Sequence, residues 1–429
     1  MTLGIKTGSS SLNDLNAAIE DLSNQLIQDN TALVILFFSM HYLSDKQIAE
    51  HPDHLTVHLQ QHFPDIPVIG CTTAGEIGCS GYQQHSISAI SLSAEYFQVS
   101  CTRYSNLKEI ALKQWGDQTV KLHSQHHRRY RLYDDKHTFG LLLVDGMSGV
   151  EEPLVRMMAS TISSIPLIGG SAGDDLHYTS AFVLYQGQIY DNSAILVLIT
   201  TSLPFQIVKS QNIRASDKRL VVTEAIPEQR TITEINGRPA ALEYARQLGI
   251  TDCDQITIET LAARPAVVVM GDAEYVRSIQ RVNPDNSLTF YCAIDIGIVI
   301  RIGYSINLVQ SLEQTLNEVQ QEMPIQGMIL FDCILRRVEL QEKQLLQQAS
   351  ELLSAHHCIG FSTYGEQING LHVNQTCTGI AFGHPQTPQQ PGLFCQSQNQ
   401  SQNQRQEQNQ TPNAPFEQTE QSDSDRRSP

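Results

Sequence analysis

Three stretches of this sequence share a grammar with chemical potential. They are Val68-Ile69-Gly70-Cys71-Thr72-Thr73-Ala74-Gly75-Glu76, Leu167-Ile168-Gly169-Gly170-Ser171-Ala172-Gly173-Asp174 and Cys358-Ile359-Gly360-Phe361-Ser362-Thr363-Tyr364-Gly365-Glu366. The first and third fit I-G-x-[ST]-T-x-G-E, and the second is one residue shorter. A turn of this kind presents backbone N–H groups, hydroxyls and an acid at a strand end, where open α/β sheets bind ligands. The candidate ligand-binding residues are therefore Thr72, Thr73, Gly75 and Glu76, then Ser171, Gly173 and Asp174, then Thr363, Tyr364, Gly365 and Glu366, with Asp145 and Asn374 beside them. Each glycine also has a purely structural reading, as a position that permits positive φ, and the hydroxyls have a local hydrogen-bonding one. Recurrence of the turn three times, each ending in an acid, points towards a shared pocket.

Other chemistries find less support. None of the turns has the Walker lysine or a G-x-G-x-x-G spacing, and each carries a carboxylate that repels phosphate. Asp145, Glu151, Asp174, Asp175 and the turn carboxylates are available as acids or bases, but no G-x-S-x-G accompanies them, so a non-catalytic protein is expected. His54, His58 and His62 recur at helical spacing and read either as a metal-binding face or as a solvated one. His123, His126 and His127, beside Arg128, Arg129 and Arg131, read as an exposed basic loop or helix end. His372 follows the third turn and enters a strand that returns across the same sheet end. The nine cysteines never form C-x-x-C, which argues against a zinc knuckle or a disulfide framework and for reduced, mostly buried thiols.

The elements that must hold these turns are also legible. An apolar run precedes each turn (33–39, 139–146 and 328–333), and a helical stretch lies between, so the repeated unit is strand, helix, strand, glycine turn. In the second unit Ser148-Gly149-Val150-Glu151 has capping-box spacing, and Leu154, Met157, Met158 and Ile162 continue at helical period. In the third, one helix is predicted between Arg336 and Ser354, with Leu345, Ala349, Leu352 and Leu353 as its apolar face. The alternation predicts an α/β or α+β fold. A boundary is placed near residue 230, before the turn Asn236-Gly237, giving modules at 30–228 and 229–385. From residue 386 the chain turns to Gln, Asn, Ser and Pro, a composition that predicts a disordered tail over 386–429.

At 429 residues, at least two domains are expected. The formal net charge, 28 − 45 = −17, disfavours nucleic acid and anionic membrane as partners. The apolar run at 32–38 is far below the roughly 18 residues of a membrane span, and residues 1–11 lack a signal-peptide pattern. A cytoplasmic location is expected.

The same residues resemble the FIST sensory family. The resemblance rests on 70–76, Asp145-Gly146-Met147-Ser148-Gly149-Val150-Glu151-Glu152 and 169–175 for an amino-terminal module, and on Ile235-Asn236-Gly237-Arg238-Pro239-Ala240, 360–366 and 372–376 for a carboxy-terminal one. It implies a small-ligand sensor that regulates a separate partner such as a histidine kinase or a cyclic-di-GMP enzyme, with amino acids as one ligand class. It also implies haem-based nitric oxide sensing, as in some stand-alone members. Covalent haem is not expected because C-x-x-C-H is absent. For b-type haem His372 is the first axial candidate and His177 the alternate. The amino-acid alternative uses Glu76, Asp174 or Glu366 to pair an ammonium group.

Overall fold

A computed structural model describes residues 4–43, 54–109, 112–130, 135–271 and 273–384. The tail expected at 386–429 lies outside the described residues.

One unit of structure recurs three times. The first comprises β1 (Ile5–Ser10), α1 (Leu15–Leu26), β2 (Thr31–Ser39), α2 (His54–His62), β3 (Val68–Thr73), the short hairpin β4 (Glu76–Gly78) and β5 (Gly81–Gln83), and β6 (Ile87–Ser93). The second repeats the order with β7 (Phe97–Tyr104), α3 (Leu112–Arg129), β8 (Thr138–Val144), α4 (Glu151–Thr161), β9 (Leu167–Ser171), β10 (Val183–Tyr185), β11 (Gln188–Tyr190) and β12 (Ala194–Thr201). The third opens with β13 (Phe205–Gln211), after which a large segment is inserted. That segment contains β14 (Ile213–Ile226), β15 (Thr231–Ile235), β16 (Arg238–Pro239), α5 (Ala240–Leu248), α6 (Ile258–Ala263), β17 (Ala266–Met270), β18 (Ala273–Arg277), β19 (Ile279–Val282), β20 (Leu288–Phe290) and β21 (Val299–Ser305). The unit resumes with α7 (Leu308–Glu322), β22 (Ile325–Cys333), α8 (Ile334–Glu342), α9 (Leu346–Ala355), β23 (Cys358–Thr363), β24 (Glu366–Ile368), β25 (Leu371–Val373) and β26 (Thr376–Gly383).

Each unit builds most of a six-stranded sheet and completes it with a hairpin taken from another unit. The orders are β1-β6-β2-β3-β10-β11, β7-β12-β8-β9-β24-β25 and β13-β26-β22-β23-β4-β5. The hairpins pass round a closed ring, from the first unit to the third, the third to the second and the second to the first. Within each sheet the two strands around the helix are parallel, as in β2 with β3, β8 with β9 and β22 with β23. The first glycine of each repeated turn serves this pairing. A Cβ on Gly70, Gly169 or Gly360 would lie within 1.9 Å of the carbonyl oxygen of Leu36, Leu142 or Leu330 on the adjacent strand.

The apolar runs explain the layering. Phe37, Phe331 and Phe361 pack edge-on or tilted with centroids 4.9–6.3 Å apart. They belong to one core shared by all three sheets. The opposite face of each sheet carries the helices, as with Leu15, Ile19, Leu22 and Leu26 of α1. Asp14 caps α1 by accepting from the Ala17 N–H at 2.9 Å.

Two predicted details differ. The capping box at Ser148 does not form, and α4 starts at Glu151 with no side-chain cap. The Ser148 N–H closes a turn onto the Asp145 carbonyl, and Glu151 is drawn to Arg230 instead. The single helix predicted between Arg336 and Ser354 is two, because Gln344 adopts φ 57 and the Leu345 N–H bonds back to the Leu340 carbonyl.

The inserted segment forms its own sheet, β18-β17-β21-β14-β15-β20-β19, with β16 on β15. It packs α5 and α6 against a separate apolar cluster. The expected boundary at 228/229 falls inside it, between β14 and β15, which pair antiparallel. Among the described residues no helix is long and apolar enough to cross a membrane.

Candidate functional site

The three glycine turns meet and interlock through their backbones. Ala74 and Gly75 exchange bonds with Ser362, through Ala74 N–H to Ser362 O at 3.0 Å and Ser362 N–H to Gly75 O at 2.7 Å. Ser171 exchanges bonds with Tyr364 and Gly365, at 3.2 and 2.9 Å. Gly173 and Asp175 donate to Thr72 and Thr73 at 3.1 and 3.2 Å. The three repeated turns thus lie together in the fold.

Their acids, however, turn inwards. Glu76 is fully buried, takes the Thr73 hydroxyl on one oxygen, and takes the Ser86 N–H and hydroxyl on the other at 3.1 and 2.7 Å. Glu366 repeats this with Thr363 at 2.5 Å and with the Thr376 N–H and hydroxyl at 3.2 and 2.7 Å. Burial pushes Glu76 up to about 7 and Glu366 up to about 8, against the lowering effect of these hydrogen bonds. Thr72 bonds both to and from the backbone of Phe182. The Ser171 hydroxyl accepts from Gln367 Nε2 at 2.9 Å. Asp145 accepts from the N–H groups of Met147 and Asn192 at 2.8 and 2.7 Å, and burial raises it to about 6. Asp174 accepts the Tyr364 hydroxyl, the backbone N–H groups of Tyr178, Thr179 and Ser180 and the Thr179 hydroxyl. Asn374 is buried without a hydrogen-bond partner for either side-chain polar atom. Gly173, expected to supply a positive φ, does not; a Cβ there would approach the Ala74 nitrogen to 2.9 Å.

The open space lies beside these turns. A cavity of about 240 Å³ separates the ring from the inserted sheet and is lined by Gly146, Met147, Gly149, Glu151, Tyr178, Glu228, Gln229, Arg230, Gln280, Thr289, Phe290, Tyr291 and Tyr364. Of the predicted site residues only Tyr364 lines it. Tyr178 stacks on Tyr364 with ring centroids 4.8 Å apart, and its hydroxyl lies 2.6 Å from that of Tyr291. Burial raises all three phenols, Tyr178 to about 12, so they stay neutral hydroxyls at pH 7.

Arg230 is the charged centre of this space. Its Nη2 lies 2.7 Å from Glu151, 2.8 Å from Glu152 and 3.0 Å from the Gly149 carbonyl, while Nη1 donates to the Tyr291 carbonyl at 2.7 Å. Burial favours the neutral acid at Glu152, but His372, Arg230 and the Ala293 N–H outweigh it and hold the carboxyl below its usual range. Tyr178, Arg230 and Tyr291 carried no motif signal. Gly146, Met147, Gly149 and Glu151 lie in the segment 145–152 on which the family resemblance rests.

Haem does not fit the residues proposed for it. The His372 ring is buried, with Nδ1 3.2 Å from Gln367 Nε2 and Nε2 only 2.5 Å from where a Cβ on Gly365 would stand. That leaves no slot on the Nε2 side, and the cavity is lined by no histidine. His177 is exposed. Among the described residues no three His, Cys, Asp or Glu side chains group as a metal site, and the His54 side chain lies outside them. His126, read as part of an exposed basic stretch, is buried between the Ser100 and Thr200 hydroxyls at 2.8 Å each.

A ring of three α/β units and an inserted sheet thus border this partly open cavity. Residues 32–238 match the FIST N domain and residues 240–369 the FIST C domain, and the chain belongs to the FIST family. Its domains are signal-transduction sensor domains. An uncharacterized protein of Methanocaldococcus jannaschii is 22% identical over 361 residues, covering 76% of this chain and 69% of that one. Among solved structures, cyanuric acid hydrolase from A. caulinodans aligns with a TM-score of 0.37 at 7% identity, over 89% of this chain and 99% of that one. A second cyanuric acid hydrolase structure aligns at 0.35 and 9% identity, over 88% and 99%.

Proposed function

We propose that this chain is a cytoplasmic small-ligand sensor whose ligand occupies the cavity between the ring and the inserted sheet. It reports occupancy by contact with a separate signalling protein, such as a histidine kinase or a cyclic-di-GMP enzyme. One observation carries the reading: the cavity is walled by segments far apart in sequence, 146–151, 178, 228–230, 289–291 and 364, so whatever fills it bears on both family modules at once. About 240 Å³ suits a polar organic molecule of amino-acid size. The wall offers neutral phenols, amides and an ion pair, and contains no serine, cysteine, lysine or histidine, which favours binding over catalysis.

A metabolite screen by thermal shift, paired with an assay for turnover, tests this. Compounds that raise the melting temperature without being consumed, and lose that effect when Gln280→Trp fills the cavity, support the sensor. Turnover that disappears in Glu151→Gln replaces it with an enzyme.

A further inference from the structure

Arg230 sits in its place at a cost. It is a non-glycine residue in the left-handed region, at φ 51 and ψ 38, immediately after a 3-10 turn. Its backbone is fixed by its own N–H on the Pro227 carbonyl and by its carbonyl on the Phe290 N–H, both at 2.9 Å, and its guanidinium reaches across the cavity to Glu151 and Glu152 of the ring. Those carboxylates are 2% and 13% exposed, whereas Arg230 is 19% exposed and has a route to water. Two carboxylates so poor in water cannot be left unpaired, since a buried charge stripped of its partner costs several kcal/mol. A ligand that takes the place of Arg230 and keeps these carboxylates ionised is one that brings a positive charge of its own.

The rest of the wall agrees. Among the lining residues Glu151 and Glu228 face Arg230 as the one cation, while Glu152 and Arg277 stand behind the wall, so an entering anion meets two carboxylates and a guanidinium already engaged. The Tyr178, Tyr291 and Tyr364 rings offer electron-rich surface, which favours a cation. On these grounds Arg230 is an internal stand-in for a ligand.

Resting on the cavity as the sensing site, we propose that its ligand is a compact organic cation, a guanidinium or primary amine on a small aromatic or aliphatic body. Its charged end exchanges with Arg230 between Glu151 and Glu152. The exchange conserves charge. It removes the cross-cavity ion pair that ties the inserted sheet to α4, which is the change a partner can read.

The test uses the full chain, with methylguanidinium and phenethylamine as cations, acetate and benzoate as anions, and benzyl alcohol as the neutral control, in calorimetric titration at fixed ionic strength. The cations are expected to bind and the others not. Glu151→Gln should weaken cation binding at least tenfold, on the order of one charged hydrogen bond. Arg230→Gln should tighten it, because the resident competitor is gone. If Arg230→Gln folds poorly, Arg230→Lys serves, and methylguanidinium should restore the melting temperature of either variant. Binding of benzoate or benzyl alcohol that Gln280→Trp abolishes and Glu151→Gln does not would overturn the cation assignment and leave the cavity as the sensing site. Cation binding indifferent to Glu151→Gln and Gln280→Trp, or no binding by any probe, would overturn the assignment and count against the cavity as well.

Discussion

Tyr364 donates its hydroxyl to Asp174 and, through the same oxygen, accepts from the Leu176 N–H at 2.9 Å. One phenol from the third glycine turn thus orders the loop that follows the second. This loop carries Tyr178 into the cavity wall, where the two rings stack. Removing only the oxygen, in Tyr364→Phe, strands the Leu176 N–H and one bond of a buried carboxylate. A loss of about 1–3 kcal/mol is expected, read as a shifted midpoint in urea without a change in slope. Fluorescence of a probe bound in the cavity should change as well, because Tyr178 loses its support.

Glu76 and Glu366 predict a particular pH dependence. Burial raises them from 4.5 to about 7 and about 8. The folded protein therefore retains protons that the unfolded chain releases above its ordinary carboxylate value. Their contribution is fully present below about pH 4.5 and fades as pH climbs through 7 and 8. Denaturation midpoints should fall from about pH 4.5 to about pH 8 and level off above it, and Glu76→Gln and Glu366→Gln, which mimic the neutral acids, should each flatten that decline. An unchanged slope in both Gln variants would show that these carboxyls ionise in the folded state as they do in water.

The parts of the fold legible from sequence are those written in long apolar runs. β2, β8 and β22 announce themselves, and the repeated I-G pairs mark the middle strands because a side chain there would strike the neighbouring carbonyl. The exchange of hairpins was not legible, since β4, β5, β10, β11, β24 and β25 are three residues each and nothing local says whose sheet they join. The turn acids were misleading for a related reason. A carboxylate that closes its own turn and one that faces a ligand have the same sequence, and only the partners Ser86 and Thr376, each ten residues on, distinguish them. Arg230 had no signature, because its role depends on a contact 79 residues away.

The packing around His372 predicts how haem would behave. Its Nε2 faces Gly365 with no room for iron, and Nδ1 is taken up by Gln367. Any haem taken up on reconstitution should be held elsewhere, so the spectrum between 380 and 600 nm should be the same for the parent chain and for His372→Ala. A Soret band present in the parent and lost in that variant would show that the hairpin β24–β25 opens to admit the cofactor.

Two glycines separate backbone strain from crowding. Gly149 lines the cavity at φ 74, and a Cβ there would meet nothing within 4 Å. Gly149→Ala therefore bears only the left-handed backbone, about 1 kcal/mol. Gly75 stands at φ 124, and a Cβ there would sit 1.8 Å from Nη1 of Arg337. The guanidinium is the far end of a long side chain, so it will yield, but Arg337 is buried beside Glu76, Asp175 and Tyr82. Drawing it back takes a positive charge away from the carboxyls of Glu76, Asp175 and Asp332, on top of a backbone region that alanine rarely occupies, and about 2–3 kcal/mol is expected in total. The substitution should also raise the apparent titration of Glu76, since Arg337 is a cation that favours its ionised form. Equal losses for Gly149→Ala and Gly75→Ala in urea denaturation would mean that Arg337 is not held against the first glycine turn.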